Sequence, residues 1–426
     1  MRNQPSAQGG MLRVAVHDFG GYPFVTELSR VLAQRGHEVV HLYADGFRRA
    51  KASMQPRSGD PPSFSTRPVR LAEDFEPGGI RRVAQERRYG KLLREAIRSS
   101  NPQVVISTNA PIEVQAAALA TAHAGGAAFV SWVQDLHSVA IRKILSRRSR
   151  ILGAIAGTRF ARLERHVLAR SDAIVAVSRD FLAMFDEWSL DPDRIHVIGN
   201  WAPLTARDER TNPWSIEHEL SDLPRVMYAG TLASKHDPRT LIELARAIPN
   251  AQVIVVAEGA GADWLAGAGR GLKNLEVLPL QPFEQLPQML ASADVLVAIL
   301  QPDAAGFSAP SKVLTYLAAG KPIVAAIDSE NAAAQVIMRA RAGVVVDPSD
   351  AAGFAAAVQR FLTDSEQRIA AGDAGLAYAR EAFDLDRIAD RFEGVFRGAL
   401  ERNSQCGSAE VTDTLPTRET RHGADT

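Results

Sequence analysis

Ala305–Ala325 reads AGFSAPSKVLTYLAAGKPIVA, and its punctuation decides the fold. Gly306 and Pro310 mark a loop. Ser311 can cap a helix, and Val313, Leu314 and Leu317 fall on one side of the run Lys312–Ala319 at helical spacing. Gly320 stops that helix, and Lys321-Pro322 starts the buried run Ile323-Val324-Ala325-Ala326. A helix start presents unpaired N–H groups and the positive end of a dipole, so it suits a phosphate. Lys312, one residue past the cap, would add a mobile cation. An ordinary strand–helix junction with a capping serine has the same spacing, so the neighbouring sequence must discriminate.

Working outward, the same alternation surrounds this stretch. Arg225–Gly230, Gln252–Val256, Leu275–Leu278, Val295–Leu300 and Gly343–Asp347 read as strands, with helices running to Ala247 and over Phe283–Ala291, Ala351–Thr363, Glu366–Glu381 and Leu385–Leu400. The first half repeats the pattern. Leu12–Val16 is a strand, Asp18-Phe19-Gly20-Gly21 a glycine loop, Thr26–Arg35 an amphipathic helix closed by Gly36, and Glu38–Tyr43 a second strand. No hairpin signal intervenes, so the unit predicts a right-handed parallel crossover. The loop lacks the full G-x-G-x-x-G spacing, and its paired glycines suggest instead a close approach of backbone to a ligand.

Ala44–Arg70 is rich in Pro, Ser, Gly and Arg and predicts a mobile surface segment beside the site. Gly79–Ser99 reads as a basic helix. Strands at Val104–Ser107, Ala128–Val133, Ser171–Ser178 and Ile195–Ile198 follow, the first running into Asn109 and the second into Gln134-Asp135-Leu136-His137. The fold class is therefore α/β, with two strand–helix halves in tandem. Ligands of such folds lie outside the carboxyl ends of the strands, so two facing edges predict a cleft. The boundaries expected are a disordered stretch 1–10, a first domain 11–204, a second domain 205–384, a terminal helix 385–400 and a disordered tail 401–426.

The bulk composition agrees with this division. The chain has 426 residues, is 46% hydrophobic, and holds one cysteine, Cys406, so it predicts no disulfide framework and no cysteine metal site. No secretory signal and no apolar run long enough to span a bilayer is read, which predicts a cytoplasmic protein. Formal net charge is zero, yet residues 1–200 hold 28 basic against 19 acidic side chains and the remainder 21 against 30. The basic half predicts an anionic partner. Much of that charge lies in Ile141–Arg170, where Arg142, Lys143, Arg147, Arg148, Arg150, Arg159, Arg162, Arg165 and Arg170 interleave with apolar residues. Such a segment suits the inner face of a membrane, or equally an Arg-rich helix packed on its own domain. Nucleic acid is not expected, since no recognised binding signature accompanies the charge.

In this order, DFGGYPFVTELSRVLAQRGHEV, WVQDLH, SDAIVAVS, IHVIGNWAP, YAGTLASKHD, SADVLVAIL and PSKVLTYLAAGKPIVA resemble the motifs of the retaining family-four glycosyltransferases over residues 11–400. The last motif is similar to a PSK-type bacterial subset that builds exopolysaccharide, capsule or O-antigen. The resemblance implies two tandem Rossmann-like domains facing across a cleft, the GT-B architecture, with the final helix crossing back to the first domain. It implies a UDP- or GDP-linked sugar as donor, a lipid-linked saccharide as acceptor, and no obligatory metal or other cofactor. Gly20 and Gly21 match the loop beside the donor diphosphate and the acceptor. His137 matches a histidine that contacts the transferred sugar. Gly230 and Lys235 match the phosphate loop, with Lys235 and His137 as the catalytic pair. Ser311 and Lys312 match the phosphate-facing helix start, Asn109 and Asp135 fall on the acceptor side, and Glu258 either touches the sugar or ribose or caps the next segment. Where many relatives carry two glutamates this chain has Phe307 and Thr315, and an arginine often found after the loop glycine is Thr231. Thr315 can replace only part of a glutamate's hydrogen bonding to a ribose. The same sequence admits a catalytically silent protein of this architecture that binds a partner transferase or glycan, or a nucleotide-sugar epimerase.

Overall fold

The computed structural model describes residues 10–45, 54, 56–76, 79–146, 149–204, 209–233, 235–302 and 312–412. Strands β1 (Arg13–Asp18), β2 (Glu38–Asp45), β3 (Phe64–Arg70), β4 (Val104–Thr108), β5 (Ala128–Val133), β6 (Ala173–Ala176) and β7 (Ile195–Val197) form one sheet in the order β3-β2-β1-β4-β5-β6-β7. Strands β8 (Arg225–Ala229), β9 (Gln252–Val256), β10 (Leu275–Leu278), β11 (Val295–Ile299), β12 (Ile323–Ala326) and β13 (Gly343–Val346) form a second, ordered β10-β9-β8-β11-β12-β13. Every pairing is parallel. Parallel strands need crossovers that cover both faces, which is why β4, β5 and β11 are buried along their whole length rather than on alternate residues. Strand order reverses between β1 and β4 and again between β8 and β11, and at each reversal the carboxyl ends open a crevice.

Helices cover both faces of the first sheet. Tyr89, Leu93 and Ile97 of the helix Gly79–Ser100 pack with Val105, Phe129 and Val167 on one side. On the other, Leu28 and Leu32 of the helix Pro23–Gln34 pack with Val14, Val16 and Trp132. The final helix joins that second layer from the far end of the chain. Phe392 meets the Trp132 ring edge-on at 4.9 Å, and Trp132 stacks on Trp201 at 5.7 Å. Around this apolar centre Arg35 donates to Asp390 (2.8 Å), Arg402 to the Asp172 carbonyl (2.7 Å) and Asn403 to the Gly126 carbonyl (2.9 Å). The final helix thus packs on the helical layer of the first sheet.

Three details differ from the sequence reading. Phe64–Arg70 is an edge strand, within a stretch expected to lack structure. Only Phe64 and Val69 of it are buried, and Pro68 is tolerated because an edge strand leaves one side unpaired. Residues 46–53 and 55 of that stretch lie outside the described residues. The basic segment is two helices, His137–Ser146 and Arg150–Arg170, folded together so closely that a Cβ on Gly157 would lie 2.9 Å from the Arg142 Cβ. Arg147 and Arg148, between them, are outside the described residues. The final helix continues from Leu385 to Thr412, beyond the expected end at Leu400 and into the expected tail. Residues 1–9 and 413–426 are outside the description. Among the described residues no helix is long and apolar enough to cross a membrane.

Candidate functional site

At the reversal in the second sheet, β8 ends in Tyr228-Ala229-Gly230, and the helix Lys312–Ala319 starts beside it. Tyr316, one turn into that helix, fixes the junction. Its hydroxyl accepts from the Ala229 N–H (2.9 Å) and donates to the Ala229 carbonyl (3.2 Å). Gly230 has φ +123°, a conformation side chains resist, and its missing Cβ leaves the Lys312 Nζ 3.6 Å from where that atom would stand. Lys312 is not the mobile cation that the sequence suggests. Its Nζ lies 3.7 Å from the centre of the Tyr228 ring and donates to the Tyr228 hydroxyl. Burial, then the neighbouring charge of Lys235, drives its pKa well below the usual lysine range.

The loop after Gly230 brings more polar groups to this corner. The Thr231 hydroxyl donates to Glu258 (3.3 Å), so Glu258 faces the loop. His236 is 5% exposed, and its Nδ1 accepts the Ala233 N–H at 3.1 Å. Burial, followed by the charges of Lys312 and Lys235, pushes its pKa down to about 3. Burial also lowers the pKa of Lys235, against the field of Asp135 across the cleft. Asp135 stands solvent-exposed at the end of β5, yet desolvation by the surrounding cleft pushes its carboxyl up to about 6, with Lys235 opposing the rise. A pocket of about 200 Å³ opens beside these groups. Gly230, Lys312, Thr315 and Tyr316 line one side, and Val256, Leu280, Pro282, Phe283, Met289 and Leu290 supply an apolar wall.

The first sheet's reversal holds the other candidates. Buried Asp18 accepts the Gly20 N–H (2.9 Å), the Tyr22 N–H, and the Asn109 side-chain amide (3.4 Å). Asn109 itself has φ +55°, which its short polar side chain tolerates. The paired glycines have a different cause from the one expected. A Cβ on Gly20 would lie 2.0 Å from the Tyr22 ring, and Gly21 has φ +66°. The loop's own tyrosine therefore fills the space that a ligand approach was expected to use at Gly20. His137 begins its helix half-buried, with burial lowering its pKa. Glu164 accepts the His137 N–H (2.9 Å) and the Ser138 N–H (3.1 Å), so a carboxylate already occupies that positive helix end.

Gly230, Lys235, Lys312 and Thr315 thus share one corner, with Asp135 opposite Lys235. Gly20, Gly21 and Asn109 share another, and Glu258 pairs with Thr231. Ser311 and Phe307 lie outside the described residues. Sequence reasoning missed Asp18, Glu164, Tyr228, Tyr316 and His236 as site-building groups. His236 carried a visible signal, since it adjoins Lys235. Among the described residues no group of three His, Cys, Asp or Glu side chains is placed to hold a metal ion.

Residues 19–201 match the model of a Glycosyl transferase 4-like domain, and residues 223–364 that of Glycosyl transferases group 1. Both halves of the chain thus match glycosyl transferase domain models. WcaI of Escherichia coli (strain K12), named as a colanic acid biosynthesis glycosyl transferase, is 24% identical over 246 residues, 55% of this chain and 59% of that protein. The alpha-D-kanosaminyltransferase of Streptomyces kanamyceticus is 25% identical over 251 residues, 55% of this chain and 62% of that protein. The chain thus aligns with about three fifths of these curated relatives. Among solved structures, sucrose-phosphate synthase from Thermosynechococcus elongatus superposes with a TM-score of 0.69 at 15% identity, over 90% of this chain and 98% of that one. HepE of Anabaena, solved in complex with UDP-glucose, gives 0.65 at 13% identity, over 91% and 99%. These superpositions show the GT-B fold.

The geometry across the cleft yields a titration. The Asp135 carboxyl, followed by carbon NMR, should change ionisation near pH 6, because desolvation by the surrounding cleft outweighs the attraction of Lys235. Lys235→Ala removes the group that lowers this pKa, so the midpoint should move up. A wild-type midpoint near 4 would contradict the desolvation of Asp135, and a midpoint that moves down in the variant would contradict its placement opposite Lys235.

Proposed function

We propose that this protein transfers a sugar, with retention of configuration, from a nucleoside-diphosphate sugar to a lipid-linked saccharide in cell-surface polysaccharide synthesis. The observation that carries the reading is the corner between β8 and β11. There, Lys312 and the Gly230 turn line a largely apolar pocket, and Lys235 stands near enough for its charge to act on Lys312. In this reading the base and ribose enter the pocket, with the Thr315 hydroxyl toward the ribose, and the diphosphate lies between Lys235 and Lys312. HepE has been solved with UDP-glucose, which makes a UDP-linked sugar the first donor to test. The polysaccharide setting rests on the similarity to WcaI.

The chemistry follows from charge. As the bond between the sugar carbon and the phosphate oxygen breaks, negative charge grows on the diphosphate, and preorganised cations stabilise it. The acceptor oxygen bonds to the same face of the sugar, and its proton passes to the departing phosphate oxygen. No protein nucleophile is required. His137 and Asp135, from the first domain, bound the space for the transferred sugar and the acceptor, where positioning supplies much of the rate. Lys235→Ala should lower kcat/KM by about 100-fold or more, comparable to the loss of one transition-state donor. Near-normal turnover in a folded Lys235→Ala protein would remove the assignment.

The lipid-linked acceptor is proposed because one face of the first domain is basic. Arg142, Arg159 and Arg162 are exposed on the two helices after β5, and Arg81, Arg87, Lys91 and Arg94 on the helix Gly79–Ser100. This face would bring the protein to the inner surface of the cytoplasmic membrane. Each such residue contributes on the order of 1 kcal/mol near an anionic bilayer. The protein should therefore sediment with phosphatidylglycerol vesicles, and Arg142, Arg159 and Arg162→Gln together should reduce the bound fraction severely. Undiminished sedimentation of the triple variant would count against this face.

A further inference from the structure

We propose that His236 is a further donor-binding residue, its Nε2–H donating a hydrogen bond to a diphosphate oxygen of the nucleotide sugar. The inference rests on the reading of the β8–β11 corner as the diphosphate site, and it adds a contact which that reading does not contain.

The ring's orientation is fixed. His236 is 5% exposed, its backbone N–H donates to the Ala233 carbonyl (2.9 Å), and its Nδ1 accepts the Ala233 N–H (3.1 Å). An Nδ1 that accepts has no proton, so the neutral imidazole carries its hydrogen on Nε2. The ring stands edge-on to Tyr228 at 6.4 Å, the same tyrosine whose hydroxyl holds Lys312. One face of the site therefore positions Lys312 and His236 together.

The Nε2–H has no hydrogen-bond partner among the described residues. The ring is nearly buried, but Nε2 itself is reached by solvent, so a ligand acceptor there takes the place of water on a donor whose direction is already fixed. The surroundings specify the ligand's sign. The charges that act on His236 are those of Lys312 and Lys235, both positive, so the site attracts an anion. A third full cation would be repelled by those two. A neutral imidazole adds a directed donor without adding charge, which suits a diphosphate already flanked by two ammonium groups.

Two substitutions separate this role from a purely structural one. His236→Asn keeps an acceptor near the Nδ1 position for the Ala233 N–H and removes the distal donor. His236→Gln keeps an N–H donor near the Nε2 position and removes the proximal acceptor. Binding of inorganic pyrophosphate and of UDP would be measured by calorimetry on the full chain, with the thermal midpoint of each variant recorded. Pyrophosphate carries the same diphosphate chemistry without depending on the base. Affinity for both ligands should fall about 10-fold or more in His236→Asn and stay within a few-fold of wild type in His236→Gln. Wild-type affinity in His236→Asn, or an equal loss in both variants, would overturn the role of His236 and leave the diphosphate site standing. A wild-type protein that binds neither pyrophosphate nor any of UDP, GDP, ADP and dTDP would overturn both readings.

Discussion

Two ammonium groups, Lys235 and Lys312, are placed where water solvates them poorly, and the charge of one helps to lower the pKa of the other. Like charges drawn together under partial desolvation cost free energy unless an anion joins them. Much of the local structure keeps Lys312 in place. Tyr316 ties the start of its helix to Ala229, Tyr228 receives its Nζ, and Gly230 leaves space beside it. Asp135 offers Lys235 a counter-charge from the opposite wall of the cleft, though as a carboxyl whose own ionisation is resisted by burial.

The parallel sheets make this corner possible. With every strand pointing the same way, all loops that follow strands gather on one edge, and the reversal of strand order opens a gap between two of them. Each sheet has one such gap, framed by Asp18 and Asn109 in the first and by Gly230 and Lys312 in the second. The final helix then joins the two halves. Its Phe392 enters the aromatic cluster of Trp132 and Trp201 beneath the carboxyl ends of β5 and β7.

What could be read from sequence divides along physical lines. Strands buried on both faces announced themselves as largely apolar runs. The edge strand Phe64–Arg70 was hidden because one partner and little burial leave no hydrophobic pattern to see. The basic segment looked continuous because charge and apolar residues alternate through the turn that divides it. In the site, residue types were visible but their directions were not. Gly20 looked like room for a ligand, whereas the ring of Tyr22, two residues on, fills that room. Lys312 looked mobile until Tyr228, 84 positions earlier in the chain, was seen beneath it. Glu164 shows the same limit, since no local spacing links it to the helix start at His137 that it caps.

The most direct test of the anion site is a thermal-shift screen of the purified protein against UDP, GDP, ADP, CMP and dTDP. A ligand present at about 100 times its dissociation constant adds roughly 2.7 kcal/mol of stability, enough to move the melting midpoint clearly. A marked rise with at least one nucleoside diphosphate, UDP first among them, is expected. A midpoint unmoved by all of them would contradict a diphosphate site at Lys235 and Lys312, and would favour a silent protein of this architecture that binds a partner instead.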